Sequence, residues 1–173
     1  MESCPHTQWH SGALHRLDEG SEHIVYLAPG GQEVVKLTKP GIYGDIYYLE
    51  GTRVCQRCAT PGDYLIRLLS LQNNFDFAPV AVGITPHGQI ATRQPFVQGE
   101  PPTQEEVDGF LSGEGLEPVK QSCWLWKKPD PEAEVEYWIG DARADNFVKT
   151  PNGIVPIDLR MWGVAVGGEG AGA

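Results

Sequence analysis

Four polar side chains in the C-terminal part of the chain are of types that bind metal ions and phosphates. They surround one predicted hairpin and are Asp141, Arg143, Asn146 and Asp158. Carboxylate and amide oxygens, such as those of Asn146 and Asp158, suit Mg²⁺. Asp141, five residues before Asn146, would then orient a hydroxyl nucleophile beside a phosphate that the metal holds. Phosphoryl transfer requires this combination.

The hairpin is predicted from two short apolar runs and the turn between them. Phe147-Val148 and Ile154-Val155-Pro156-Ile157 flank Thr150-Pro151-Asn152-Gly153, whose Pro, Asn and Gly favour a tight turn. Pairing of the two runs brings Asn146 and Asp158 together, although twelve positions separate them in sequence. A plain polar loop with Asx turns is the alternative for residues 140–146.

The spacing in this stretch resembles the catalytic core of protein kinases. Asp141 and Asn146 repeat the Asp-x-x-x-x-Asn of the kinase catalytic loop, and Asp158 stands where the Asp of the DFG motif is expected. The chain departs from the kinase pattern at two places. Gly140 replaces the usual Arg before the catalytic Asp, and Leu159-Arg160 replaces Phe-Gly.

A wider resemblance extends from about Leu14 to Trp162. Over this range the chain looks like the compact kinase-like domains of phage and mobile-element polyvalent proteins, through the segments SEHIVY, VVKLT, TPGDYLIRLL and DARADN. The resemblance implies an α+β, protein-kinase-like fold with a five-stranded small lobe, one helix and a strongly reduced second lobe. It also implies ATP and Mg²⁺ as cofactors. The implied site consists of nucleotide-binding Lys36, Gly20 and Ser21, catalytic Asp141 and Arg143, and metal-binding Asn146 and Asp158.

Strand patterns indicate where the nucleotide-binding side chains lie. Residues 13–17 and 24–27 are predicted as strands around a loop that resembles the phosphate-covering loop of kinases. Gly20 is the one glycine of that loop, so the G-x-G-x-x-G pattern is absent, and a plain hairpin turn is the alternative. The third strand, Glu33-Val34-Val35-Lys36-Leu37, alternates so that Lys36 points towards the side that a nucleotide would occupy. Its Val-Val-Lys resembles the kinase Val-Ala-Ile-Lys.

A helix is predicted from Thr60, as N-cap, to Asn74. It corresponds to the kinase helix whose Glu pairs with the strand Lys. This helix instead carries Arg67 and has no acidic residue after Asp63. Glu50, Asp63 or another carboxylate are the alternatives for the missing partner.

The remaining segments complete a small lobe and a shortened second lobe. Residues 40–59 have no clean periodicity and are expected to be an insertion packed on the small lobe, whereas 78–84 and 89–97 are predicted strands. Residues 98–102 are expected to form a hinge whose backbone meets an adenine edge. A capping box at Thr103–Glu106 begins a second helix that Gly113 and Gly115 end. The second lobe is completed by two predicted strands, at 123–126 and 135–139, around a charged loop.

These segments define one kinase-like domain at residues 13–162. The small lobe covers 13–97, the hinge 98–102 and the reduced large lobe 103–162, while 1–12 and 163–173 are expected to be flexible ends. A chain of 173 residues with 40% hydrophobic content can bury one sizeable core.

Charge, hydropathy and cysteine content indicate which partners, which location and which thiol chemistry to expect. A net charge of −10 and a pI near 4.8 argue against a nucleic-acid partner. The sequence has neither a run of about 20 apolar residues nor the features of a signal peptide, so we expect no membrane partner and a cytoplasmic location. Cys55 and Cys58 form a C-x-x-C without a second cysteine pair. Reduced thiols are therefore favoured over half a zinc site or a redox pair.

The function predicted from these features is ATP- and Mg²⁺-dependent phosphoryl transfer to a Ser, Thr or Tyr hydroxyl of an unidentified protein. One alternative is a pseudokinase that binds nucleotide or a partner without turnover. Another is a small-molecule kinase or an adenylyl transferase that uses the same site.

Overall fold

A computed structural model describes residues 14–51, 53–120, 124–130 and 135–165. The fold is α+β, with antiparallel pairing between neighbouring strands and two α-helices in these ranges. The elements in chain order are β1 (His15–Glu19), β2 (His23–Leu27), β3 (Glu33–Thr38), β4 (Asp45–Glu50), β5 (Arg53–Cys58), α1 (Pro61–Asn74), β6 (Val80–Ile84), β7 (Ile90–Pro95), α2 (Gln104–Gly113), β8 (Glu117–Pro118), β9 (Trp126–Asp130), β10 (Val135–Gly140), β11 (Phe147–Thr150), β12 (Gly153–Pro156) and β13 (Arg160–Ala165).

The expected five-stranded sheet is confirmed and has the order β1-β2-β3-β7-β6. Strand β3 lies at its centre, where Lys36 stands opposite Val25 on β2 and Thr92 on β7. Helix α1 covers the sheet with Tyr64 and Leu68, which pack against Ile90. The centre of a sheet is the part least free to move, so Lys36 has a fixed backbone position.

Helix α1 has the start that the sequence predicts. The Thr60 side chain accepts from the Asp63 amide and the Asp63 carboxylate accepts from the Thr60 amide, which is a capping box. The buried face contains Tyr64, Leu68 and Leu71 at helical spacing, together with Arg67. A charged residue in this buried stripe needs a buried partner.

Residues 40–59 form the β4–β5 hairpin, which packs beyond the small lobe. Tyr47 stacks on Trp162 of β13 with ring centroids 5.3 Å apart, and Val54 packs in the same cluster. The expected insertion on the small lobe therefore also contacts the second sheet, while Tyr43 packs against Tyr64 and Ile90. The aromatic rings of the second sheet supply the apolar surface that this hairpin covers.

The second half of the chain is a four-stranded sheet, β13-β10-β9-β8, packed against α2. The structure differs here from two expectations based on the sequence. Strand β9 begins at Trp126 and continues through Asp130, so the charged residues there belong to a strand. Strand β13 pairs with β10 as far as Ala165, past the boundary at residue 162, because its Trp162 and Met161 are buried in the core. Cys123, residues 131–134 and the ends at 1–12 and 166–173 lie outside the described residues.

The segment expected to be a hinge is attached to β11. Glu100 and Lys149 exchange two backbone hydrogen bonds of 3.0 and 2.8 Å. Gly99 makes this approach possible, since a Cβ atom there would lie 2.1 Å from the Lys149 carbonyl oxygen. This contact joins the two halves of the fold.

Neither of the two helices in the described ranges has the length and apolar character needed to cross a membrane.

Candidate functional site

A cleft of about 410 Å³ lies between the five-stranded sheet and the loops around the β11–β12 hairpin. This volume is within the range of about 300–1,000 Å³ typical of small-molecule sites. All seven residues that the sequence singled out line the cleft: Gly20, Ser21, Lys36, Asp141, Arg143, Asn146 and Asp158. The fold therefore brings together residues that are up to 138 positions apart in sequence, from Gly20 to Asp158.

Lys36 and Asp158 meet at the back of the cleft. The Lys36 ammonium donates to the Asp158 carboxylate at 3.0 Å and to the Ile157 carbonyl oxygen at 2.7 Å. Partial withdrawal from water would raise the pKa of Asp158, but the charge and hydrogen bond of Lys36 lower it to about 2. Asp158 is thus an anion at neutral pH, and its side chain is 51% exposed.

The loop from Asp141 to Asn146 is held to the residues before Asp158 by backbone contacts. The Asn146 carbonyl oxygen accepts from the amides of Ile157 at 2.8 Å and Asp158 at 3.3 Å. The Asn146 side-chain nitrogen donates to the Asp141 carbonyl oxygen at 2.7 Å, so the side-chain oxygen is the atom of this amide that could act as a metal ligand. The predicted proximity of Asn146 and Asp158 is confirmed, because both flank the β11–β12 pairing.

Asp141 has a backbone conformation that few non-glycine residues adopt. Its φ is 60°, in the left-handed region that Asp tolerates better than most residues. Its carboxylate accepts from Arg143 Nε at 2.9 Å, and Arg143 also pairs with Asp145 at 3.4 Å. Such conformations occur preferentially at functional sites, where the surrounding structure maintains them.

Close packing restricts the residue before Asp141 to glycine. A Cβ atom on Gly140 would lie 2.9 Å from Trp162 Cη2 and 3.4 Å from Tyr47 Cε2. These rings form the stacked pair between β4 and β13. A side chain at this position would have to displace them, so the packing favours glycine here.

The carboxylate partner of Lys36 is Asp158, and neither Glu50 nor Asp63 takes that place. Asp63 accepts instead from Arg57 and from the Thr60 amide, while Glu50 accepts from the Cys55 thiol. Asp158 lies directly in the path of the Lys36 side chain, so the pair needs no acid from α1.

Helix α1 reaches the cleft through a buried ion pair that sequence reasoning missed. Arg67 contacts both carboxylate oxygens of Glu22, in the β1–β2 loop, and the two residues are 4% and 6% exposed. Burial alone would lower the pKa of Arg67, but the attraction of Glu22 raises it above the ordinary value. The signal in the sequence was an arginine at apolar helical spacing. Nothing in the sequence identified Glu22 as its partner.

His23 adds a second contact between the β1–β2 loop and α1. His23 Nε2 and the Tyr64 hydroxyl lie 2.9 Å apart, within hydrogen-bonding distance. Burial lowers the pKa of His23 to about 4, which outweighs the attraction of nearby Asp158 and Glu22. The ring is therefore neutral at physiological pH.

The apolar wall of the cleft differs from the expected hinge. Residues 94–97 line it, together with Val25 and Val34, whereas residues 98–102 do not. The backbone pairing of Glu100 with Lys149 turns the latter segment towards β11 and away from the cleft. A flat aromatic base would therefore contact the residues just before the expected hinge.

The oxygen atoms of the cleft suit a metal ion that takes most of its ligands from phosphates and water. The described residues contain no cluster of three or more His, Cys, Asp or Glu that could hold a metal ion. Asn146 and Asp158 supply an amide oxygen and a carboxylate, and Mg²⁺ typically takes one or two protein ligands plus phosphates and waters. Cys55 and Cys58 are free thiols on β5.

Comparisons of this chain with family models, with curated proteins and with solved structures find no match.

Proposed function

We propose that this chain is a minimal kinase-like domain that transfers the γ-phosphoryl group of ATP to a protein Ser, Thr or Tyr hydroxyl with the help of Mg²⁺. One observation carries the proposal. Lys36 and Asp158, which lie 122 positions apart, meet within 3.0 Å in the same cleft as Asp141 and Asn146. These residues correspond to the phosphate-binding Lys, the catalytic Asp and the metal-binding Asn and Asp of kinases, without the helix Glu that pairs with the Lys there.

Each side chain has a role that follows from its chemistry and position. The apolar wall at Val25, Val34 and residues 94–97 would hold the base, and the loop with Gly20 and Ser21 would cover the phosphates. Lys36 would donate to phosphate oxygens. Asn146 and Asp158 would hold Mg²⁺, which neutralises phosphate charge when bound.

Asp141 would perform the proton transfer. Its carboxylate accepts the proton of the acceptor hydroxyl while that oxygen forms a bond to the γ-phosphorus. The bond from the γ-phosphorus to the oxygen that bridges it to the β-phosphate breaks, and ADP leaves with that oxygen. Arg143, 2.9 Å from Asp141, would offset negative charge on the transferring group.

A nucleotide-binding module without turnover is the second candidate. The absence of an acidic residue after Asp63 on α1 favours it, since the helix then offers Lys36 no carboxylate of the kind that kinases use. The glycine-poor β1–β2 loop points the same way. A small-molecule kinase or an adenylyl transferase would use the same residues on another acceptor or group.

ADP formation and intact-protein mass after incubation with ATP and Mg²⁺ test the proposal. We expect ADP, and phosphate added to the chain or to a supplied protein. Asp141→Asn should lower the rate by about 10²–10⁴-fold. Asp76→Asn, which removes the same charge from an exposed residue outside the cleft lining, should retain activity. Nucleotide binding without any transfer would establish the second candidate, and added AMP would identify an adenylyl transferase.

A further inference from the structure

Arg160 lies where three charged segments of the cleft come together. Its side chain is 18% exposed, and each of its three nitrogen atoms faces a different carboxylate. The nitrogen–oxygen distances are 3.6 Å from Nε to Glu22, 3.4 Å from Nη1 to Asp45 and 3.7 Å from Nη2 to Asp141. These carboxylates belong to the β1–β2 loop, to strand β4 and to the loop that follows β10.

The contacts of Arg160 complete a continuous chain of alternating charge. Arg67 on α1 holds Glu22 in a buried pair, Glu22 faces Arg160, and Arg160 faces Asp141. The other carboxylate oxygen of Asp141 accepts from Arg143. The helix, the β1–β2 loop and the loop of Asp141 are therefore connected through one guanidinium.

The geometry requires an arginine. Three nitrogens fixed in one plane reach three carboxylates at once, whereas the single ammonium of a lysine has no such fork. The distances of 3.4–3.7 Å exceed the 2.7–2.9 Å of a close charge-assisted hydrogen bond. Arg160 thus shares its charge among the three segments and is not committed to one of them.

We infer that Arg160 is a positioning residue that couples the β1–β2 loop, which would cover the phosphates, to the carboxylate of Asp141. The catalytic part of this inference rests on the proposed function. The structural part, a bridge between the two loops, does not. Glu22 attracts the Arg160 guanidinium, and the guanidinium in turn attracts the Asp141 carboxylate, so the position of that carboxylate depends on the position of the β1–β2 loop.

Hydrogen exchange of the ligand-free protein tests the bridge independently of activity. The amides of Gly20 and Asn146 are suitable probes, because each donates a backbone hydrogen bond of 2.9 Å within its own loop. Arg160→Gln should increase exchange several-fold at both amides. Arg143→Gln, which removes a cation that pairs with Asp141 and Asp145 of the same loop, should increase it at Asn146 alone. An effect of Arg160→Gln confined to one loop, or to neither, overturns the bridge.

Steady-state kinetics test the coupling to chemistry. Arg160→Lys and Arg160→Gln should both lower kcat about ten- to a hundredfold through misplacement of Asp141, and should lower kcat by a larger factor than they change the affinity for ATP and Mg²⁺. Full activity of Arg160→Lys would show that charge alone suffices and would overturn the positioning role. A parent protein without turnover would contradict the proposed function, whereas the exchange result would still decide whether the bridge exists.

Discussion

His23 is a buried, neutral histidine, and its burial makes stability depend on pH. Its pKa is about 4 in the fold and near 6.5 when the chain unfolds. Between these values the unfolded state binds more protons, so the contribution of His23 is fully present above pH 6.5 and is lost as the pH falls towards 4. Carboxylates with lowered pKa, such as Asp158 and Asp63, lose their contribution only below about pH 3.8.

We therefore predict that the parent protein loses about 3 kcal/mol of unfolding free energy between pH 6.5 and 4 because of His23. Urea denaturation at a series of pH values measures this. His23→Gln should have a flatter profile in that window, and His15→Gln, which changes an exposed histidine on β1, should follow the parent. An unchanged slope in His23→Gln would mean that His23 is not the titrating group.

Lys36 offers a second test at the level of single residues, because its loss should affect function more than folding. Lys36→Met keeps the apolar stem, and the Asp158 carboxylate left behind is already 51% exposed. Phosphoryl transfer should fall at least about a hundredfold, while the melting temperature changes little. Lys39→Met is a matched control, because Lys39 pairs with Glu19 at 2.8 Å outside the cleft lining. Parent-like turnover in Lys36→Met would make Lys36 a structural strand residue.

Among the elements, α1 and the β1–β2 loop are joined by the buried Arg67–Glu22 pair. Removing one partner of a buried pair typically costs about 3–5 kcal/mol, while replacing both by apolar residues is often neutral. We expect Arg67→Met to be destabilised by about that amount in urea and Glu22→Leu/Arg67→Met to recover most of it. Arg93→Met, which breaks the exposed pair with Glu33, should cost less than about 1 kcal/mol. Similar losses in the two single variants would indicate that the Arg67 pair is not buried in solution.

Alanine substitutions at two glycines distinguish a close backbone contact from a position that has space for a side chain. Gly99→Ala forces a Cβ atom onto the Lys149 carbonyl oxygen, so it should destabilise by about 1–3 kcal/mol. Gly109→Ala lies within α2 and has no atom within 4 Å of the new Cβ, so it should stabilise by about 0.5–1 kcal/mol. Thermal unfolding of the two variants gives the comparison. A neutral Gly99→Ala would mean that the Glu100–Lys149 connection yields without cost.

Local patterns were sufficient for elements whose own residues carry the information. The capping boxes at Thr60 and Thr103 and the turn at Pro151-Asn152 identified both helices and the β11–β12 hairpin. The β4–β5 hairpin could not be identified in this way, because it is stabilised by packing on Trp162, more than a hundred positions away. The same limit applies to the site. The spacing of Asp141, Asn146 and Asp158 is local, whereas Glu22 and Arg160 meet only in the folded chain.

At the scale of the whole molecule, the cleft of this acidic chain is lined by both cations and carboxylates. The net charge is −10, yet Lys36, Arg67, Arg143 and Arg160 all line the cleft. Each of them already pairs with a carboxylate. A triphosphate that bound here would meet cations that are already partly neutralised, so we expect its binding to require a divalent metal.

Isothermal titration of ATP with and without Mg²⁺, at matched ionic strength, tests this account most directly. We predict one site per chain, with binding strongly dependent on the metal. Asp158→Asn should weaken metal-dependent binding by at least the roughly 10–100-fold that loss of a ligand-orienting residue costs. Asp76→Asn, with the same change of charge at an exposed residue outside the cleft lining, should bind like the parent. Equal affinity with and without Mg²⁺, or no binding of ATP to the parent protein, would contradict the assignment of this cleft as a nucleotide and metal site.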